Sequence, residues 1–242
     1  MIECFADSLV SGYLQSSAMG KGLVLVQLAA SVVMFTFIFG KWREISGQIH
    51  LARRVSRDIM GEQNVLNYYL ARHDDSGSAF ETIYRSACDR LLRLLTPDVR
   101  SLLVGRQPGV TAALTVHEMG LVKSICEHAL DEESLRVEKG MGMIATVVAI
   151  APMLGLLGTV WGVLDAFADM GAAGSATIAT MAPAIASALV TTVVGLLIAI
   201  PGVVIHNMLS AQLRDLLSDM ESFADDLMGR IALEFQDQGR GL

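Results

Sequence analysis

Three long stretches without a single charged residue set the terms for this chain. They are Gly22–Gly40 (19 residues), Met141–Leu164 (24 residues) and Ala176–Ile205 (30 residues). Each meets the need for roughly 20 apolar residues to cross a hydrocarbon core of ~30 Å. Inside lipid the backbone must satisfy its own hydrogen bonds, which points to helices. We therefore expect an all-α membrane protein: three transmembrane helices, with long helices extending into a cytoplasmic helical bundle and no sheet. A hydrophobic share of 52% and a mean hydropathy of +0.50 agree, being too apolar for an ordinary soluble domain.

The first span does not read as a cleavable signal peptide. Glu3 and Asp7 stand where a basic region belongs, and the apolar run exceeds the usual length of about 7–15 residues. Ile2, Phe5, Leu9 and Tyr13 recur at helical spacing, so residues 1–21 are expected to form a periplasmic amphipathic segment. Basic residues set the orientation. Residues 41–140 hold 14 of the 18 Lys and Arg, whereas Asp165–Gly174 holds none and two aspartates. The predicted order is TM1 at 22–40, a cytoplasmic helical region at 41–140, TM2 at 141–164 and a periplasmic turn at 165–175. TM3 follows at 176–208, then a cytoplasmic C-terminal helix and tail at 209–242. The N-terminus is periplasmic and the C-terminus cytoplasmic.

Periodicity fills in the cytoplasmic part. Ile45, Ile49, Ala52, Val55 and Ile59 make one stripe continuing from TM1. "DDSGS" (Asp74–Ser78) signals a loop, Phe80–Leu95 is helical up to Pro97, and "GRQPG" (Gly105–Gly109) breaks the chain. Val110–Lys139 reads as an amphipathic helix leading into TM2. Beyond TM3, Leu213, Leu216, Leu217, Met220, Phe223, Leu227 and Ile231 share one side and should pack on the other cytoplasmic helices.

Chemistry-bearing residues are sparse. Cys4, Cys88 and Cys126 are scattered, with no CxxC, and His50, His73, His117 and His128 lack ligand spacing. No metal or cofactor site is expected. A net charge of −7 leaves no nucleic-acid footprint. Ser187 and His206 could suggest a nucleophile and base, but 19 residues of helix separate them by ~28 Å. No intramembrane Asp, Glu or Lys replaces the base, so an enzyme is not expected and no residue is assigned as catalytic.

Spans two and three are two-faced. Ala184, Ser187, Ala188, Thr191, Thr192, Gly195, Ala199 and Gly202 fall within about 140° of a helical wheel. Ile185, Leu189, Val193, Leu196, Ile200 and Val203 occupy the opposite side. Gly155, Gly158, Thr159, Gly162 and Ala166 cluster within roughly 100°, and Gly158–Gly162 is a GxxxG. Small residues let membrane helices approach closely, so Gly155, Gly158, Gly162 and Gly195 are candidate packing positions. Pro183 and Pro201 mark kinks near the span ends. Packing and the lining of a pathway are both open readings of the hydroxyl faces.

"APMLGLLGTVWGVLDAF" (Ala151–Phe167) and "APAIASALVTTVVGLLIAIPGVVIHN" (Ala182–Asn207) resemble the TolQ/ExbB/MotA proton-channel family, and most of all its ExbB and TolQ branches. The motif covers about 60 residues, and topology and length agree over the whole chain. The resemblance implies an inner-membrane homopentamer around a central pore that holds two copies of an ExbD/TolR-like single-span partner. That partner supplies a membrane aspartate, and the work passes to a TonB- or TolA-like protein. Thr159 and Thr192 match the family's two pore-facing threonines, with Thr191 and Ser187 beside them. Relatives commonly carry glutamate in an "IAEAL" segment, where this chain has Ser187 in "IASAL".

TM2 and the uncharged core of TM3 contain no Asp, Glu, Lys, Arg or His, the groups a membrane proton relay normally uses. Hydroxyls can donate, accept and hold water around a carboxylate, but they cannot titrate in its place. The expected function is thus a proton-channel or motor subunit that couples the proton motive force to an outer-membrane process. TonB-dependent import and a Tol-type envelope role both fit. A non-conducting oligomeric scaffold and a flagellar-stator-like motor subunit are the alternatives, although the stator branch has four spans.

Overall fold

The computed structural model describes residues 10, 12–14, 18–62, 64–71, 77–95, 114–173 and 178–235. The predicted opening segment at Ile2, Phe5 and Leu9, the "GRQPG" break, and the tail past Phe235 lie outside them. Among the described residues, six helices carry the fold: α1 Ala18–Gly61, α2 Val65–Ala71, α3 Ala79–Leu94, α4 Val116–Glu138, α5 Met141–Ala173 and α6 Ile178–Phe235. Three long stretches, Ala18–Gly61, Val116–Gly171 and Met181–Phe235, each contain a window apolar enough to cross a membrane. This is an all-α membrane protein.

The chain divides into two compact units: Met1–Trp42 with Gly140–Ser210, and Arg43–Lys139 with Ala211–Leu242. In the first unit, α1 turns Leu23, Val24, Gln27, Met34 and Ile38 inward. Leu25, Val26, Val32, Phe35, Phe37 and Phe39 point outward and are exposed. An exposed surface this apolar suits a helix solvated by lipid.

The second unit is built the opposite way, with large side chains inside. Ile45, Ala52, Val55 and Ile59 of the predicted stripe are buried, as are Leu213, Leu216, Met220, Phe223, Leu227 and Ile231. Phe80 and Phe223 pack with tilted rings at 5.2 Å, and Tyr68 meets Tyr84 edge to face at 5.6 Å. The Tyr84 hydroxyl accepts from the Tyr69 N–H at 3.0 Å and donates to the Val65 carbonyl, which ties α2 to α3. The end of α6 clasps the corner between α1 and α2. Arg230 donates to the carbonyls of Ile59 (3.0 Å) and Glu62 (2.6 Å), while Glu234 accepts from the Val65 N–H at 3.0 Å. These are the orphan groups that helix ends leave.

Burial also sets the thiol chemistry of this unit. Desolvation raises Cys88 to about 12 and Cys126 to about 11, and it pushes the Tyr84 hydroxyl far above its ordinary range. Both thiols are free and buried, so they behave as packing groups.

Gly140 adopts φ +95 and separates α4 from α5. One boundary differs from expectation. Helix α5 continues through Asp165 and Asp169 to Ala173, past the expected start of the turn at 165. No proline interrupts that stretch, and its alanines favour helix. Pro183 and Pro201 both sit inside the continuous α6.

Candidate functional site: a charge-free seam of glycines and hydroxyls

Helices α5 and α6 meet along the small-residue faces read from the sequence. On α6, Ser187, Ala188, Thr191, Gly195, Ala199 and Gly202 are buried, while Leu189, Leu196, Ile200 and Val203 are exposed. The approach is close enough to require glycine. A Cβ on Gly155 would stand 2.9 Å from Thr192 Cα and 3.1 Å from the Thr191 carbonyl, both backbone atoms. One on Gly158 would run into the Thr191 hydroxyl, and one on Gly162 would lie 2.5 Å from Ala188 Cβ. One on Gly195 would lie 2.6 Å from the Ala151 carbonyl.

The hydroxyls spend their protons on backbone oxygens. Thr192 donates across the seam to the Gly155 carbonyl at 2.8 Å. Thr191 donates to Ala188 O at 2.7 Å, with Gly155 O at 3.3 Å on its other side. Ser187 donates to Ala184 O at 3.0 Å, and Thr159 to Leu156 O at 2.7 Å. Such back-bonding lets a hydroxyl sit within an apolar helix. It leaves each oxygen free to accept another hydrogen bond.

Exposure sorts the four hydroxyl residues. Thr191 is 1% exposed and Ser187 5%, so both are held inside the chain. Thr159 and Thr192 are half-buried. Of the proline positions, Pro183 is exposed and Pro201 half-buried.

Gln27 of α1 also belongs to the seam. Its side chain is completely buried, and its Nε2 donates to Ala151 O of α5 (3.4 Å) and Thr191 O of α6 (3.3 Å). The absence of charge in the spans does not reveal it, because an amide is polar but not ionisable. The signal is in the sequence: Gln27 is the one amide in the uncharged run Gly22–Gly40. No group of three or more His, Cys, Asp or Glu placed to hold a metal occurs among the described residues.

A model of the MotA/TolQ/ExbB proton channel family matches residues 103–222. Over 211 residues the chain is 29% identical to the Tol-Pal system protein TolQ of Pseudomonas aeruginosa, covering 84% of each chain. It is 26% identical to TolQ of Haemophilus influenzae over 218 residues, covering 88% of this chain and 89% of that one. Against the biopolymer transport protein ExbB of Xanthomonas campestris pv. campestris, identity is 42% over 99 residues. That alignment covers 41% of this chain and 39% of the ExbB protein. The likeness to TolQ over most of the chain and the shorter, stronger likeness to ExbB place the chain in the MotA/TolQ/ExbB proton channel family, in its ExbB and TolQ branch.

Proposed function

We propose that this chain is the charge-free half of a proton-driven motor in the bacterial inner membrane, a transport subunit rather than a catalyst. The observation that carries the reading is a seam rich in hydroxyls with no titratable group along it. A membrane proton relay needs ionisable side chains, so the titrating carboxylate comes from another chain. A single-span partner of the ExbD/TolR kind would bring it as an aspartate into the pore of a pentamer of this chain. The work would then pass to a TonB- or TolA-like protein.

In this reading Thr159 and Thr192 line the pathway, with Thr191 and Ser187 behind them. A hydroxyl whose proton is given to a carbonyl can only accept, and so favours the neutral acid of the partner. Rotated outward, the same hydroxyl donates, and favours the carboxylate. The threonines thereby support both protonation states without titrating themselves.

The test is proton flux into vesicles containing this chain and the aspartate-bearing partner. Flux is expected with both proteins present. It should vanish with this chain alone and with the partner's aspartate changed to asparagine. Flux from this chain alone would refute the division of labour. Stable pentamers that conduct in neither case would favour the scaffold reading, for which the full burial of Thr191 and Ser187 speaks.

A further inference from the structure

The Gln27 amide is only half used. Its nitrogen lies between two backbone carbonyls, Ala151 O and Thr191 O, which can only accept. Those neighbours fix the orientation of the amide, since the reverse would set three oxygens against one another. Oε1 then faces away from them, buried and without a donor among the described residues. The nearby hydroxyls do not supply one: Thr191, Thr192 and Ser187 have one proton each and give it to a backbone carbonyl. Ser31, one turn along α1, gives its proton to Leu28 O.

A buried amide oxygen without a donor is costly, and a lipid tail offers nothing to pair with it. A helix seeking only close packing would carry leucine or methionine here, as the same face does at Leu23 and Met34. Whatever meets Oε1 must bring an O–H or N–H, be small, and be neutral in a seam without charged side chains. Water fits all three conditions, and buried waters are held at polar groups that the protein itself leaves unsatisfied. We propose that Gln27 Oε1 binds a water molecule in the seam among α1, α5 and α6. The site would give the membrane unit a hydrated polar point on the α1 side of the threonines. It stands whether or not the chain conducts.

Water-edited solid-state NMR on the full chain in lipid bilayers tests the site, with bulk H2O as the probe. Magnetisation from water should reach the Gln27 side-chain amide several-fold faster than the methyl groups of the outward-facing Leu25 and Val32. In a Gln27→Met variant, transfer to the Thr191 and Ala151 carbonyls should be lost. Build-up at Gln27 as slow as at Leu25 would overturn the proposal, as would undiminished transfer to Thr191 in the variant. Transfer that appears only after a single-span aspartate partner is added would also overturn it, assigning Oε1 to the partner's acid. Should the variant fail to fold, the native-chain measurement decides by itself.

Discussion

The two units of this protein are both helical, yet they cohere by different means. In the second, Ile231, Leu227, Met220, Tyr84 and Ile83 are all fully buried, and the driving force is removal of large apolar groups from water. In the first, many large apolar groups point outward, and α5 meets α6 through glycine, alanine and hydroxyls. Lipid tails are as apolar as leucine, so burying leucine gains little there, and close backbone approach with interhelical hydrogen bonds takes over. Substitutions should therefore follow opposite rules in the two units: added bulk breaks one, and removed bulk breaks the other.

The largest contrast is at these opposed positions. Ile231→Ala should destabilise the second unit by about 2–5 kcal/mol through the cavity it leaves. Gly155→Ala should cost about 1–3 kcal/mol through overpacking, because backbone rather than a flexible side chain meets the new methyl. Gly142→Ala on the same helix meets nothing within 4 Å and should cost nothing. Thermal unfolding of each variant in detergent checks all three. Equal effects of alanine at Gly155 and Gly142 would break the comparison.

A smaller effect probes the clasp in the second unit. Arg230→Ala frees the carbonyls of Ile59 and Glu62, and should cost about 1–3 kcal/mol in chemical unfolding. The thiols sharpen the picture of a dry interior. With Cys88 raised to about 12, its thiolate fraction at mildly alkaline pH falls roughly a thousandfold below that of a free cysteine. Alkylation of Cys88 and Cys126 should therefore await unfolding. The sign of the linkage also follows: the unfolded thiols ionise first, so the unit loses stability as pH climbs from the ordinary thiol range, about 8.5, toward the folded values.

The smallest effect is at the start of α4. Thr115 and Glu118 form a reciprocal capping box, and Thr115→Ala should cost about 1 kcal/mol. Hydrogen bonds from the Thr115 N–H and hydroxyl lower the Glu118 pKa. The cap's contribution is thus present above the ordinary carboxylate range and fades as pH falls through the lowered value. A Thr115→Ala penalty that shrinks in acid would confirm the sign.

What the sequence made legible follows from period and charge. The uncharged runs mark the apolar helices, and the wheel of TM3 separates buried Ser187, Thr191 and Gly195 from exposed Leu189, Leu196 and Ile200. The stripes Ile45–Ile59 and Leu213–Ile231 mark the core of the second unit. Features that depend on a partner far along the chain were hidden. Gln27 pairs with carbonyls 124 and 164 residues away, and carbonyls carry no sequence signal. Arg230 and Glu234 look like solvated helix charges until the ends of α1 and α2 are placed beside them. The capping box is legible as Thr-x-x-Glu in "TVHE", but a helix expected to start at Val110, six residues before α4 begins, hides it.

The central claim is that this chain serves a partner's carboxylate with hydroxyls and carries no titrating group of its own along the seam. Proton flux through the complex with Thr192→Val measures it most directly, because valine keeps the shape and removes the hydroxyl that now bonds Gly155 O. The account predicts that flux is lost while the oligomer and its partner still assemble, with Thr159→Val behaving the same way. Full flux in both valine variants would contradict it.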